Sequence, residues 1–283
     1  MKTYNEIYIG FRRALTDAGV EEAGTEARLL LAAAAGKSTA EFLRDIRLYP
    51  PEDFPPIAEA YLRRRLSGEP AAYIAGCWEF HGLELEVDPH TLIPRSDTEV
   101  VTDAAIEFLR KRPGARVLDL CTGSGCIALA LAAAVKDCRV VAADIDRAAL
   151  AVARRNALKT RLHQRVMLVE ADALADPPAM LGSFDLIISN PPYIPAAEIE
   201  TLDTSVKDFE PRLALDGGSD GLDFYRAIFA RWSKILKPGG CLALECGEEQ
   251  MDALLRMGEA AGLHDPAVHR DTGDTERAVL FYL

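Results

Sequence analysis

The chain has 283 residues, of which 49% are hydrophobic and 27% charged, with a formal net charge of −12. That length suits about two domains, and the balance excludes a disordered tail, a collagen-like repeat and a coiled-coil rod. The acidic excess also excludes a broad electrostatic grip on nucleic acid, which needs a basic surface to neutralise phosphates.

Residues 1–75 read as helices. Tyr4, Ile7, Tyr8, Phe11 and Leu15 fall at helical spacing before Gly19, and Leu29, Leu30 and Leu31 mark a second helix ending near Gly36. Ser38 and Glu41 form a capping-box pattern for a third, and Pro55-Pro56 precede a fourth that ends at Gly68. This stretch holds ten basic and eleven acidic residues, so the rest of the chain carries almost all the negative charge. Within it, Arg63-Arg64-Arg65 reads as a solvated helix face. Residues 76–95 alternate around Gly82 like a β-hairpin linker. Ser96 and Glu99 repeat the capping-box pattern and predict a helix through Val101, Ala104, Ala105 and Phe108.

From there to residue 283 strands alternate with helices. Val117–Leu120, Val140–Ala143, Val166–Val169, Leu186–Ile188, Cys241–Leu244 and Ala278–Phe281 are short continuous apolar runs. Such runs predict a mostly parallel sheet covered on both faces, an α/β fold. The division expected is therefore 1–75, 76–95 and 96–283. The apolar-rich run from Cys126 to Val135 falls far short of the ~20 residues that span a bilayer, and no signal peptide is visible. Six cysteines and five histidines show no metal-ligand spacing. The cysteines read as small buried hydrophobes, which suits a reducing, cytoplasmic setting.

The first parallel strand runs into Asp119-Leu120-Cys121-Thr122-Gly123-Ser124-Gly125. Glycines there allow a ligand close to the backbone, although an ordinary tight turn explains them equally well. Asp144 ends the second strand about 20 residues on, where a carboxylate accepts ribose hydroxyls of either a nicotinamide cofactor or S-adenosylmethionine. Asp119 separates the two: it suits the cationic methionine end of S-adenosylmethionine and repels a pyrophosphate. Asp172, after the third strand, is placed to reach an adenine amino group or to serve as a loop carboxylate. Glu245, on the fifth strand, reads either as a buried site residue or as a structural pair.

Asn190-Pro191-Pro192-Tyr193 follows the fourth strand. Two prolines stiffen the loop, and the Asn190 side chain and Pro191 carbonyl offer two acceptors for a planar NH2 group. Tyr193 can stack on that plane. A glutamine amide and an adenine amine both present such a group.

The loop and the tetrapeptide together resemble class I S-adenosylmethionine-dependent amino-methyltransferases. Gly68–Gly76, Leu92–Glu99, Glu210–Leu215 and Gly221–Tyr225 narrow the resemblance to the release factor glutamine methyltransferase (HemK/PrmC) family, from about Tyr4 to the C-terminus. The resemblance implies a helical N-terminal domain, a hairpin linker and a seven-stranded methyltransferase domain. It implies cofactor contacts from Asp119, Cys121, Thr122, Gly123, Ser124, Gly125, Asp144, Ile145, Asp172, Ala173 and Asn190. Asn190, Pro191, Pro192 and Tyr193 would be catalytic and, with Arg95, would bind the substrate. That substrate would be the glutamine of the Gly-Gly-Gln loop in class-one peptide chain release factors, with no membrane, no sequence-specific nucleic acid and a monomeric enzyme. Ribosomal protein glutamine or adenine stays as the alternative acceptor. Three positions depart from the family: Cys121 stands where Gly is usual, Ser96 where Pro is usual, and Ala173 where many members carry an aromatic residue. Altered cofactor affinity is the expected result.

Overall fold

The structure, a computed structural model, describes residues 2–283. Five helices come first: α1 (Tyr4–Asp17), α2 (Ala23–Ala34), α3 (Thr39–Arg44), α4 (Phe54–Leu66) and α5 (Ala71–Ala75). The hairpin β1 (Cys77–Phe80) and β2 (Leu83–Glu86) follows, then α6 (Asp97–Arg110), β3 (Arg116–Leu120) and α7 (Cys126–Ala134). Next come β4 (Arg139–Asp144), α8 (Arg147–Lys159), β5 (Val166–Glu170) and β6 (Phe184–Ser189). The single turn α9 (Thr204–Lys207), α10 (Asp223–Ala230), β7 (Leu236–Glu245), α11 (Met251–Ala260), β8 (His264–Arg270) and β9 (Glu276–Tyr282) complete the chain.

These elements form two compact units. The smaller comprises Met1–Cys77 and Asp203–Phe209; the larger comprises Trp78–Leu202 and Glu210–Leu283. The sequence-based division differs in two respects. The hairpin from Trp78 onward belongs with the larger unit, because Phe80 and Leu85 are buried in its core. A short segment far downstream, Asp203–Phe209, returns to the smaller one, where Thr204 and Phe209 pack beside Gly68.

In the smaller unit the helices enclose Tyr4, Phe11, Leu15, Leu30, Leu31, Phe42 and Phe54. Phe42 and Phe54 each meet the Tyr4 ring edge-on, with centroids 5.3 and 4.8 Å away. Ser38 and Glu41 make the expected reciprocal cap at α3, and Thr3 with Glu6 makes another at α1. The box expected at Ser96 does not form. Glu99 instead accepts the His81 backbone N–H at 2.9 Å, fastening the hairpin turn to α6. That turn has positive φ at both His81 and Gly82, the geometry that matches strand twist in a two-residue hairpin.

The larger unit is a seven-stranded sheet of order β5-β4-β3-β6-β7-β9-β8. The first five strands in that order are parallel, and β9 runs antiparallel to both β7 and β8. One face packs Val101, Ala105, Ile127 and Leu131 from α6 and α7. The other packs Tyr225, Ile228, Trp232 and Leu254 from α10, the turn after it and α11. Burial on both faces explains why the central strands read as unbroken apolar runs. β8 was invisible in the sequence because it is an edge strand of exposed polar residues with Pro266 inside it. Among the described residues no helix is long and apolar enough to cross a membrane.

Candidate active site

β3 lies at the point where strand order reverses: β4 and β5 extend to one side of it, β6 and β7 to the other. In an open parallel sheet the crevice beyond the strand ends at such a point is the ligand site. Here it holds a cavity of about 190 Å³. Its walls come from the loops after β3, β4, β5 and β6, from residues 90–98 and from residues 211–214.

The loop after β3 bends sharply. Cys121, Gly123 and Gly125 all have positive φ, at 62°, 55° and 81°. A Cβ at Gly125 would come within 3.2 Å of Ala153, so glycine lets α7 and α8 approach. A Cβ at Gly123 would meet nothing within 4 Å, and that glycine keeps open space on the cavity wall. Asp119 stands behind the loop and does not line the cavity. It is fully buried, and its Oδ2 accepts from the Thr122 hydroxyl and from the Ala128 N–H at 3.1 Å. Its Oδ1 has no partner. Burial pushes this carboxyl up to about 7, against the pull of both hydrogen bonds. Asp119 thus braces the turn and the start of α7.

Asp144 does line the cavity. Its Oδ2 accepts the Gly123 N–H at 2.8 Å and its Oδ1 the Asp146 N–H at 2.9 Å, so it couples the loop after β4 to the glycine loop. Burial raises its pKa, which those N–H donors oppose. Cys121, Thr122, Ser124, Ile145, Asp172 and Ala173 join it on the wall, whereas Gly125 does not. Asp172 Oδ1 accepts the Leu174 N–H at 2.8 Å, making a local turn. The buried Trp232 donates its indole N–H to the Ala173 carbonyl at 2.9 Å and steadies that stretch.

Asn190 and Pro192 form the facing wall, with Thr98 from α6. Asn190 Nδ2 donates to Thr98 Oγ1 at 3.0 Å. Pro191 is buried beside them, and Tyr193 is half-buried outside the cavity lining. The backbone here is tightly enclosed. A Cβ at Gly217 would lie 2.8 Å from Tyr193 Cα and 2.9 Å from the Pro192 carbonyl oxygen. Gln250 Nε2 donates to the Tyr193 carbonyl at 2.9 Å, and its Oε1 accepts the Gly247 N–H at 3.0 Å. Beside this loop Glu245 is buried, with Oε2 unpartnered. Burial pushes it up to about 7, while the Thr98 hydroxyl beside it acts in the opposite direction.

Arg95 does not reach the cavity wall. It pairs with the buried Glu210, which also accepts the Ile93 N–H at 3.1 Å, and so joins residues 93–95 to the stretch that carries Pro211 and Leu213. Sequence reasoning missed Thr98, Gly217 and Gln250. Thr98 lies inside the Leu92–Glu99 stretch, between the two residues of the capping pattern, and Gln250 carries no local signal.

The strand order, the acidic glycine turn and the tetrapeptide at the switch point define a class I methyltransferase. Residues 95–213 match the family described as Methyltransferase small domain, and residues 6–76 match the PrmC N-terminal domain. A release factor glutamine methyltransferase of Geobacter sulfurreducens is 43% identical over 277 residues, covering 95% of this chain and 92% of the relative. That of Moorella thermoacetica is 40% identical, covering 95% of each. The fold is shared with a methyltransferase from Pyrococcus furiosus, 22% identical, with TM-score 0.50 over 71% of this chain and 89% of that one. The chain belongs to the release factor glutamine methyltransferase family.

The methyl donor of this class is S-adenosylmethionine, and the site fits it. Asp144 and Asp172 supply carboxylates on one wall, Ile145, Ala173 and Leu174 supply apolar surface, and the glycine loop leaves room.

Proposed function

We propose that the protein methylates the side-chain amide nitrogen of the glutamine in the Gly-Gly-Gln motif of class-one peptide chain release factors. The observation that carries this reading is the hydrogen bond from Asn190 Nδ2 to Thr98. It commits the amine side of the carboxamide to the protein and leaves Oδ1 to accept from a planar NH2 group at the cavity. The Pro191 carbonyl is the acceptor assigned to the second hydrogen of that group, whereas Tyr193, outside the cavity lining, steadies the loop through its Gln250-bound carbonyl. When bound, S-adenosylmethionine supplies an electrophilic methyl on a sulfonium centre. Asp144 holds the ribose, and Asp172 with Ala173 borders the base. Holding the amide by both hydrogens turns the nitrogen lone pair toward the methyl; the nitrogen–carbon bond would form as the methyl–sulfur bond breaks and its electron pair goes to sulfur, and one amide proton leaves to water. Orientation is the main device, since no strong base adjoins Asn190.

The −12 charge favours a protein acceptor over duplex nucleic acid. The helical unit offers the partner a second surface, the enzyme acts as a monomer, and the cytoplasm is its setting. The test offers the full-length enzyme intact release factor, a Gly-Gly-Gln peptide, ribosomal protein and duplex DNA, with the modified residue mapped by mass spectrometry. Intact factor is the best acceptor, because a short peptide lacks the remote binding energy of a folded protein. Methyl transfer to DNA, or equal efficiency on peptide and factor, defeats the reading.

A further inference from the structure

We propose that Gln250 is a positioning residue for the transfer: its carboxamide fixes the Tyr193 carbonyl, and through it the Asn190-Pro191-Pro192 turn against which the acceptor amide is held. This rests on the amide-acceptor reading above.

The turn itself creates the need for such a hold. Neither Pro191 nor Pro192 has an N–H, so two successive residues offer no donor by which the fold can tie them down. The chain must be fixed by its carbonyls or from just beyond the prolines. Gln250 Nε2 donates to the Tyr193 carbonyl at 2.9 Å and to the Gly221 carbonyl at 3.3 Å. Gln250 Oε1 accepts the Gly247 N–H at 3.0 Å. A flipped carboxamide would set its oxygen against two carbonyls and its NH2 against an N–H, so backbone groups fix its direction. One side chain thus joins the loop after β6, the loop after β7 and the segment that leads into α10.

A structural cap for α11 would be the ordinary use of a side chain at this place. Gln250 stands at the N-cap of that helix, yet its side chain makes no capping hydrogen bond. Its polar atoms turn instead to the loops, and the space around them is closed. A Cβ at Gly221 would lie 2.3 Å from the Tyr193 carbonyl oxygen and 2.7 Å from Gln250 Nε2. One at Gly247 would lie 3.0 Å from the Tyr193 ring and 3.1 Å from Gln250 Oε1. With Gly217 against the Tyr193 Cα, three glycines let the backbone close around this one residue. Tyr193 cannot shift without displacing Pro192, which lines the cavity.

Two measurements test this, and they separate it from the substrate reading. Gln250→Met keeps the length of the side chain and removes its hydrogen bonds. Gln250→Glu, assayed at about pH 8 where a carboxyl is ionised, keeps an acceptor for the Gly247 N–H and removes both donors. With intact release factor as acceptor, each variant lowers kcat roughly tenfold or more. KM for S-adenosylmethionine stays within about twofold, because the cavity lining includes neither Tyr193 nor Gln250. A parental kcat in either variant, or a donor KM that rises in step with the fall in kcat, overturns the proposal. Amide hydrogen exchange in the full-length enzyme reads the hold without any acceptor. The Ile194 and Gly217 N–H groups, which donate to the Leu215 and Ile194 carbonyls, exchange roughly tenfold faster in both variants, while β3 and β4 keep parental rates. Unchanged exchange at Ile194 and Gly217, or faster exchange throughout the sheet, overturns the proposal. A parent enzyme that leaves the factor unmethylated overturns the substrate reading alone, and the exchange result then decides the role of Gln250.

Discussion

Cys121 occupies a backbone conformation that costs a side-chain-bearing residue energy. At φ 62° its Cβ crowds the following carbonyl, a penalty of roughly 1–2 kcal/mol that glycine escapes. A Cys121→Val variant, β-branched at positive φ, should unfold at lower denaturant by about 1–2 kcal/mol. Cys121→Gly should stay within about 1 kcal/mol of the parent, because relief of strain offsets its greater unfolded-state freedom. Equal stability of the two variants in a denaturant titration contradicts this account. Asp144 is a different case, since both its oxygens already hold backbone N–H groups. Asp144→Asn keeps one acceptor in place but loses the charge, and it should weaken S-adenosylmethionine binding by roughly 1.5–3 kcal/mol by calorimetry. An unchanged affinity would remove Asp144 from the ribose site.

At the level of elements, the loop after β6 is held by a neighbour distant in sequence. Residues 194–196 pair with 215–218: Ile194 N–H donates to the Leu215 carbonyl at 3.0 Å, Gly217 N–H to the Ile194 carbonyl at 2.9 Å, and Ala196 N–H to the Gly218 carbonyl at 2.8 Å. Gly217 sits where this pairing passes under Pro192 and Tyr193, and the atoms it would strike are backbone, which cannot swing aside. Gly217→Ala should cost about 1–3 kcal/mol of stability by overpacking. It should also lower kcat on the order of 100-fold, with donor affinity nearly intact. Steady-state kinetics with near-parental kcat would show that the loop tolerates the shift.

That pairing also marks the limit of what sequence reveals. Asp119, Asn190 and the glycine turn were legible because strand, turn and chemistry are contiguous there. The direction in which Asp119 faces was not, because a carboxylate at a strand end can brace the turn or meet the ligand, and the hydrogen bonds to Thr122 and Ala128 decide it. Thr98, Gly217 and Gln250 act through contacts across many residues of chain, where local periodicity carries no information.

For the molecule as a whole, two buried carboxyls tie stability to pH. Asp119 and Glu245 are both raised to about 7 by burial, from ordinary values of 3.8 and 4.5. A raised carboxyl contributes stability that is fully present below its unfolded value and lost as pH rises through the folded one. The melting temperature of the free enzyme should therefore fall as pH climbs from about 4.5 through about 7. The fall should be shallower in Asp119→Asn and Glu245→Gln. A melting curve that rises over that interval, or identical slopes in all three proteins, would refute the assignment.

The return of Asp203–Phe209 to the helical unit has a consequence for synthesis. A ribosome makes the chain from its N-terminus, and an N-terminal domain ordinarily folds once its own residues have emerged. Here the five helices emerge early, but the segment that lies beside Gly68 arrives only after β3 to β6 and the Asn190–Tyr193 loop have been translated. The helical unit must wait, incomplete, while the first half of the sheet forms. Stalled nascent chains ending shortly beyond residue 77 should then leave that unit more open to protease than chains long enough to expose residue 209. The chain passes between the units three times, so neither is a bead on a single thread, and the order of translation is written into how this enzyme assembles.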